Sequence, residues 1–167
     1  KIRASDGVEV DLTLEEVWCV GPTFEQEKRI MWPVLLEIGH SLIAHKHEQT
    51  GVLTLVNGRK VAIKGSDRPD NLRGSGLSAV VMDEYAFMRP EVFDIIIYPQ
   101  LARVEGSAMF IGTPDGKNHF HEMWLRGRSE DPKWDQWKSW HFPSIDNPYL
   151  PKAEIALAQT SMSADHF

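Results

Sequence analysis

Ala79-Val80-Val81-Met82-Asp83-Glu84 is a run of four apolar residues followed at once by two carboxylates. The run has none of the alternation of a strand with one wet face. It therefore predicts a strand covered on both sides, as in a parallel sheet. Two other runs have the same form. Val17-Trp18-Cys19-Val20 stops at Gly21-Pro22-Thr23, and Ala108-Met109-Phe110-Ile111 stops at Gly112-Thr113-Pro114. In open parallel sheets, ligands sit beyond the carboxyl ends of the strands. If the three runs are parallel neighbours, Thr23, Asp83-Glu84 and Thr113 converge on one edge.

The intervening sequence is consistent with that arrangement. Thr23 is a suitable N-cap for a helix carrying Phe24, Ile30, Met31, Val34, Leu35, Ile38 and Leu42, mostly three or four residues apart. Pro33 lies within it and is expected to kink or divide it. Residues 51–65 predict a hairpin in which Val52–Val56 and Lys60–Ile63 flank Asn57-Gly58. The polar stretch 66–78 reads as a loop with a short helical turn. Pro90 opens a second helix bearing Val92, Phe93, Ile96, Ile97 and Leu101. Strand and helix patterns thus alternate, which is the signature of an α/β fold.

The chain has 167 residues, 42% of them hydrophobic and 25% charged, so it has the size and apolar content of one globular domain. The net charge of −6 argues against a chain that coats nucleic acid with a broad basic surface. No apolar run is long enough to span a membrane, and no h-region follows the first six residues, so they do not read as a signal peptide. The single cysteine, Cys19, lies among apolar neighbours and is expected to be a buried, inert thiol.

The acidic pair carries the most chemistry. An apolar strand ending in two carboxylates is the Walker B pattern. In that role Asp83 holds Mg²⁺, and Glu84 positions the water that attacks a γ-phosphate. The bland alternative is a solvated Asp-Glu pair that opens a loop. Thr113 ends a neighbouring strand, where it would sense the γ-phosphate or would simply terminate the strand. Arg73 lies in the loop before the acidic strand. It would either stabilise phosphoryl charge at a subunit boundary or pair on the surface with Asp67 or Asp70. His119 and His121 are two apart, a spacing that points them in different directions on a helix, so zinc is not expected there. Trp134, Trp137 and Trp140 read as packing residues against the sheet rather than as a base-stacking platform.

Taken in order, these segments resemble the ATPase domain of the large terminase subunit of tailed phages. The resemblance is carried by residues 17–23 with Gln26, by Asp70-Asn71-Leu72-Arg73-Gly74, by Val80–Ala86, by Ile111–Asn118 and by Asp146-Asn147-Pro148-Tyr149-Leu150. It covers nearly the whole chain and implies a RecA-like P-loop ATPase core. Such a core has a mainly parallel sheet flanked by helices, here with a β-hairpin insertion. It further implies ATP and Mg²⁺, with Asp83 on the metal, Glu84 as catalytic carboxylate, Thr113 in the coupling motif, Arg73 as a finger into the neighbouring subunit and Gln26 near the nucleotide.

The partners implied are double-stranded DNA, the phage portal protein, the small terminase subunit and further copies in a ring. No membrane is implied, and the location is the host cytoplasm at the procapsid. No Gly-x-x-x-x-Gly-Lys-Ser/Thr occurs in the sequence. Residues 1–167 are therefore expected to be a partial ATPase domain, with the phosphate loop upstream and a nuclease domain downstream of Phe167. Two rival readings stand beside it: a non-catalytic assembly or DNA-binding module, and another Walker B ATPase such as a helicase.

Overall fold

A computed structural model describes residues 2–3, 9–10, 15–74, 76–151 and 153. The chain divides into two units, Lys1–Thr113 and Pro114–Phe167. The first begins with a short antiparallel pair, β1 (Ile2–Arg3) and β2 (Glu9–Val10). The chain then runs through β3 (Glu15–Gly21), α1 (Phe24–Ile38), β4 (Ile43–His47), β5 (Val52–Leu55), β6 (Lys60–Gly65) and β7 (Gly76–Met82). A helix follows whose Val92–Ile97 stretch is π-helical and continues as α2 (Tyr98–Ala102). The unit's last strand is β8 (Ser107–Phe110).

These strands form a six-stranded sheet in the order β4-β5-β6-β3-β7-β8. The three apolar runs are indeed adjacent and parallel: β3 pairs with β7, and β7 with β8. β3 is also parallel to β6 on its other side, whereas β4, β5 and β6 form an antiparallel meander. The expected hairpin is present, but its second strand belongs to the main sheet. Its turn is also one residue longer than Asn57-Gly58 alone: Leu55 and Gly58 close a turn (Gly58 N–H to Leu55 O, 2.9 Å) with Gly58 at φ +83°.

α1 starts as its sequence predicts. The Thr23 side chain accepts a hydrogen bond from the Gln26 backbone N–H at 3.2 Å, meeting one of the unpaired donors of the first turn. Pro33 does not divide the helix, which runs unbroken for 15 residues. The carbonyl that Pro33 leaves without a partner is that of Arg29, an exposed residue where water can serve. The helix ends at Gly39, earlier than the apolar spacing to Leu42 suggests, and Ile43 begins an edge strand.

The second helix accommodates a proline differently. Pro99 has no N–H to offer Ile95 and would crowd its carbonyl in an α-helix. The chain widens just before it, and Tyr98 N–H bonds to Phe93 O, five residues back.

α1 packs on β3 and β6, and α2 packs on β7. The right-handed hand of parallel crossovers places these helices on opposite faces. Trp32 of α1 packs on Leu53 and Ile63 of the sheet, with Phe24, Met31 and Leu35 of the same helix against them. The opposite face carries Trp18, Val20, Val80 and Met82, all at most 1% exposed. Tyr85, Phe93 and Phe110 pack together, with ring centroids 4.7 Å apart for both Tyr85–Phe110 and Phe93–Phe110.

In the second unit, α3 (His119–Arg126) is capped by Asn118. The Arg126 guanidinium lies over Trp134 at 4.9 Å and over Trp137 at 5.2 Å. Trp140 is 69% exposed, which corrects the expectation that it is a packing residue. The segment 161–167, which the sequence suggests approaches a linker, lies outside the described residues.

Candidate active site

The carboxyl ends of β3, β6, β7 and β8 all reach one edge of the sheet. Asp83 is fixed there by its backbone, whose N–H donates to Val20 O at 2.8 Å and so extends the pairing between β7 and β3. On a pleated sheet Asp83 follows Val81 and lies across from Gly21, on the face that α1 covers. Its Oδ1 accepts a hydrogen bond from the Glu84 backbone N–H at 3.0 Å.

Glu84 has φ +51° and ψ +44°, a left-handed conformation that is uncommon for a residue with a side chain. Such strain costs roughly 1–3 kcal/mol and persists only where surrounding structure enforces it. The enforcement is visible. On one side is the Asp83 hydrogen bond. On the other, Tyr85 N–H donates to Ile111 O at 3.1 Å, and the Tyr85 side chain is fully buried against Phe110.

Gly112 completes the clamp. It has φ +147°, and a Cβ added to it would lie 3.0 Å from Glu84 Cα and 3.3 Å from Glu84 Oε2. The strand tips are therefore in contact: Glu84 lies against the residue before Thr113. Thr113 itself is exposed.

Gln26 is half-buried in the first turn of α1, which starts at this edge. Arg73 is not brought to the acidic pair. It precedes the start of β7, whereas Asp83 follows its end, and a seven-residue strand spans roughly 20 Å at ~3.3 Å per residue. Arg73 is exposed, and its Nε lies 3.3 Å from Asp70 Oδ1, one of the two surface partners the sequence offered. A cleft of about 390 Å³ at the ends of β3 and β6 is lined by Thr23, Lys64, Gly65, Asp67, Arg68 and Asn71 among others, and the acidic pair is not part of its wall.

One residue of the site was missed in the sequence. Glu27 is 1% exposed, and its Oε1 has no hydrogen-bond partner. Burial, and secondarily the Asp83 carboxylate, push its pKa up to about 7. Gly21 makes room for it, since a Cβ there would meet Glu27 Oε2 at 2.5 Å. Cys19 lies on the same face. Its thiol is pushed up to about 11 by burial and then by Glu27 and Asp83, in keeping with an inert cysteine. The sequence did contain a signal: Glu27 follows Phe24 by three and precedes Met31 by four, which puts an acid on the apolar stripe of α1.

Among the described residues no group of three or more His, Cys, Asp or Glu side chains is gathered around a metal position. Magnesium does not require one, because it is commonly held by one or two carboxylates together with substrate phosphates and water. Asp83, with the unpartnered Glu27 oxygen within its electrostatic reach, supplies hard oxygen donors of that kind.

Known proteins give the family. No family model matches the chain. The terminase large subunit of Thermus virus P23-45 is 30% identical over 132 residues, covering 66% of this chain and 27% of that protein. The large terminase ATPase domain of Thermus phage P74-26 is 29% identical, with a TM-score of 0.56 over 68% of this chain and 53% of that one. The chain belongs to the phage large terminase family, in its ATPase domain. A large terminase of thermophilic bacteriophage D6E, solved in complex with ADP, shares the fold at 19% identity, with a TM-score of 0.66 over 90% of this chain and 38% of that one. The terminase chain thus spans about a quarter of the length of the curated relatives it matches. No helix among its described residues is long and apolar enough to cross a membrane.

Proposed function

We propose that this terminase chain carries the Walker B half of an ATP site, and that the protein it represents hydrolyses ATP to drive double-stranded DNA into a phage capsid. The observation that carries this reading is Glu84, held in a strained left-handed turn at the tip of a buried parallel strand, next to Asp83 and against the Gly112-Thr113 strand end. Strain of this kind is a common mark of functional sites. The family assignment and the ADP complex of the D6E relative support a nucleotide as the ligand.

In this reading Asp83 holds Mg²⁺, which neutralises charge on the phosphates. Glu84 positions and polarises the attacking water. Its fixed backbone keeps the carboxylate in place with little reorganisation as the reaction proceeds. Thr113, joined to Glu84 through Gly112, couples the state of the site to β8. Gln26 faces the nucleotide from the first turn of α1. Arg73, distant from the pair in its own chain, acts on the site of a neighbouring copy in a ring, in the manner of an arginine finger. The partners are double-stranded DNA, the portal protein and the small terminase subunit, and the place of action is the host cytoplasm at the procapsid.

The test is Glu84→Gln in a polypeptide that contains a phosphate loop together with these residues. ATP turnover is expected to fall by at least about a hundredfold, as when a residue acting on the transition state is removed, while nucleotide binding is retained. Turnover that survives the substitution refutes the role given to Glu84.

A further inference from the structure

We propose that Glu27 is the second carboxylate of the divalent-cation site whose first is Asp83. The proposal rests on the reading of Asp83 given above, and three observations carry it.

The first is position. Glu27 lies in the first turn of α1, with its backbone N–H bonded to Thr23 O at 3.1 Å, so its main chain is anchored at the same sheet edge as Asp83. The second is orientation. The Glu27 carboxyl lies against Gly21, the residue across the sheet from the end of β7, on the face toward which Asp83 alternates. The third is its unmet valence. Oε1 is buried and accepts no hydrogen bond, a costly state for any acceptor and more so for a charged one. A Met of similar length would fill the same space without that cost.

A cation bound by both acids gives the orphaned oxygen a partner. Two carboxylates are within what magnesium accepts from protein, and they leave the remaining positions to phosphate and water. Gly21 is part of the device, since any side chain at that position would displace the Glu27 carboxyl.

The experiment uses Mn²⁺ as probe in the full-length protein. The bound ion is titrated by electron paramagnetic resonance in wild type, Asp83→Asn, Glu27→Gln and Glu27→Asp, and the melting temperature of each is recorded in chelator. Glu27→Gln is expected to weaken Mn²⁺ binding by roughly tenfold or more, the scale on which supporting groups of metal sites act, without lowering the melting temperature in chelator. If Glu27→Gln binds Mn²⁺ like wild type while Asp83→Asn does not, the proposal is overturned and the reading of Asp83 stands. If neither substitution changes binding, the reading of Asp83 fails and this proposal falls with it. If Glu27→Gln lowers the melting temperature, Glu27→Asp decides. Partial retention of Mn²⁺ affinity by that charge-keeping variant supports the proposal, and complete loss overturns it.

Discussion

Replacing Glu27 by glutamine removes a charge that folding must otherwise desolvate, and the size of the effect follows from the site. The carboxyl moves from an ordinary 4.5 to about 7, first because it is buried and second because Asp83 is near. At 1.36 kcal/mol per pH unit this displacement corresponds to roughly 3 kcal/mol. The sign follows from proton binding. The folded protein holds the Glu27 proton more tightly than the unfolded chain does. This contribution to stability is therefore complete below pH 4.5, is lost as the pH rises toward 7, and is level above that.

Glutamine has no such dependence. In chelator, the stability of Glu27→Gln relative to wild type is therefore expected to rise by roughly 3 kcal/mol between about pH 4.5 and about pH 8. Urea unfolding followed by tryptophan fluorescence measures it, since Trp18 and Trp32 are buried and report the loss of both faces of the sheet. A stability difference that stays the same at both pH values refutes the reasoning, because the carboxyl would then be neither desolvated nor opposed by Asp83. The expected gain in stability accompanies an expected loss of cation affinity, the usual trade at a site kept under strain for function.

Two further expectations come from the same edge. Gly112→Ala forces a side chain into φ +147° and against the Glu84 backbone. It should cost roughly 1–3 kcal/mol of stability and, in a polypeptide with a complete ATP site, lower turnover by displacing Glu84. A melting curve and a steady-state ATPase assay read the two effects, and wild-type values in both would refute the clamp. Cys19, buried and with its thiol raised to about 11, should resist alkylation in the folded protein and react readily in denaturant. Fast labelling of the native protein, followed by mass spectrometry, would contradict the burial of the thiol.

The sequence revealed the parts of this fold that obey strong local rules. Three unbroken apolar runs implied parallel neighbours, and their polar ends implied a shared edge, because side chains covered on both faces leave no other pattern. Thr23 announced the start of α1. The sequence was silent where tertiary structure decides. β4 reads Ile43-Ala44-His45-Lys46-His47, and four of its five residues are exposed. An edge strand of that kind has no apolar alternation and is fixed by pairing with β5 alone. The π-helical turn is a response to Pro99 that depends on how the helix packs on β7. Glu27 is inconspicuous in the sequence because a helix face is recognised by its apolar residues, and an acid on that face shows only as an exception. Arg73 lies beside Asp70 at the surface, and the local sequence alone did not choose between that pairing and a more distant role.

The order of the strands also bears on how the protein comes to be folded. The meander from β4 to β6 closes through short loops, so it can form early and locally. The site has no such shortcut. Joining β3 to β7 brings together residues as far apart as Glu16 and Ser78, whose hydrogen bond spans 62 positions. Asp83 acquires its place only through that union, because its backbone bond is to Val20. A chain that has built its meander but not yet threaded β7 beside β3 has no acidic site at all. A nucleotide or cation that binds there can therefore select only molecules whose long-range assembly is finished.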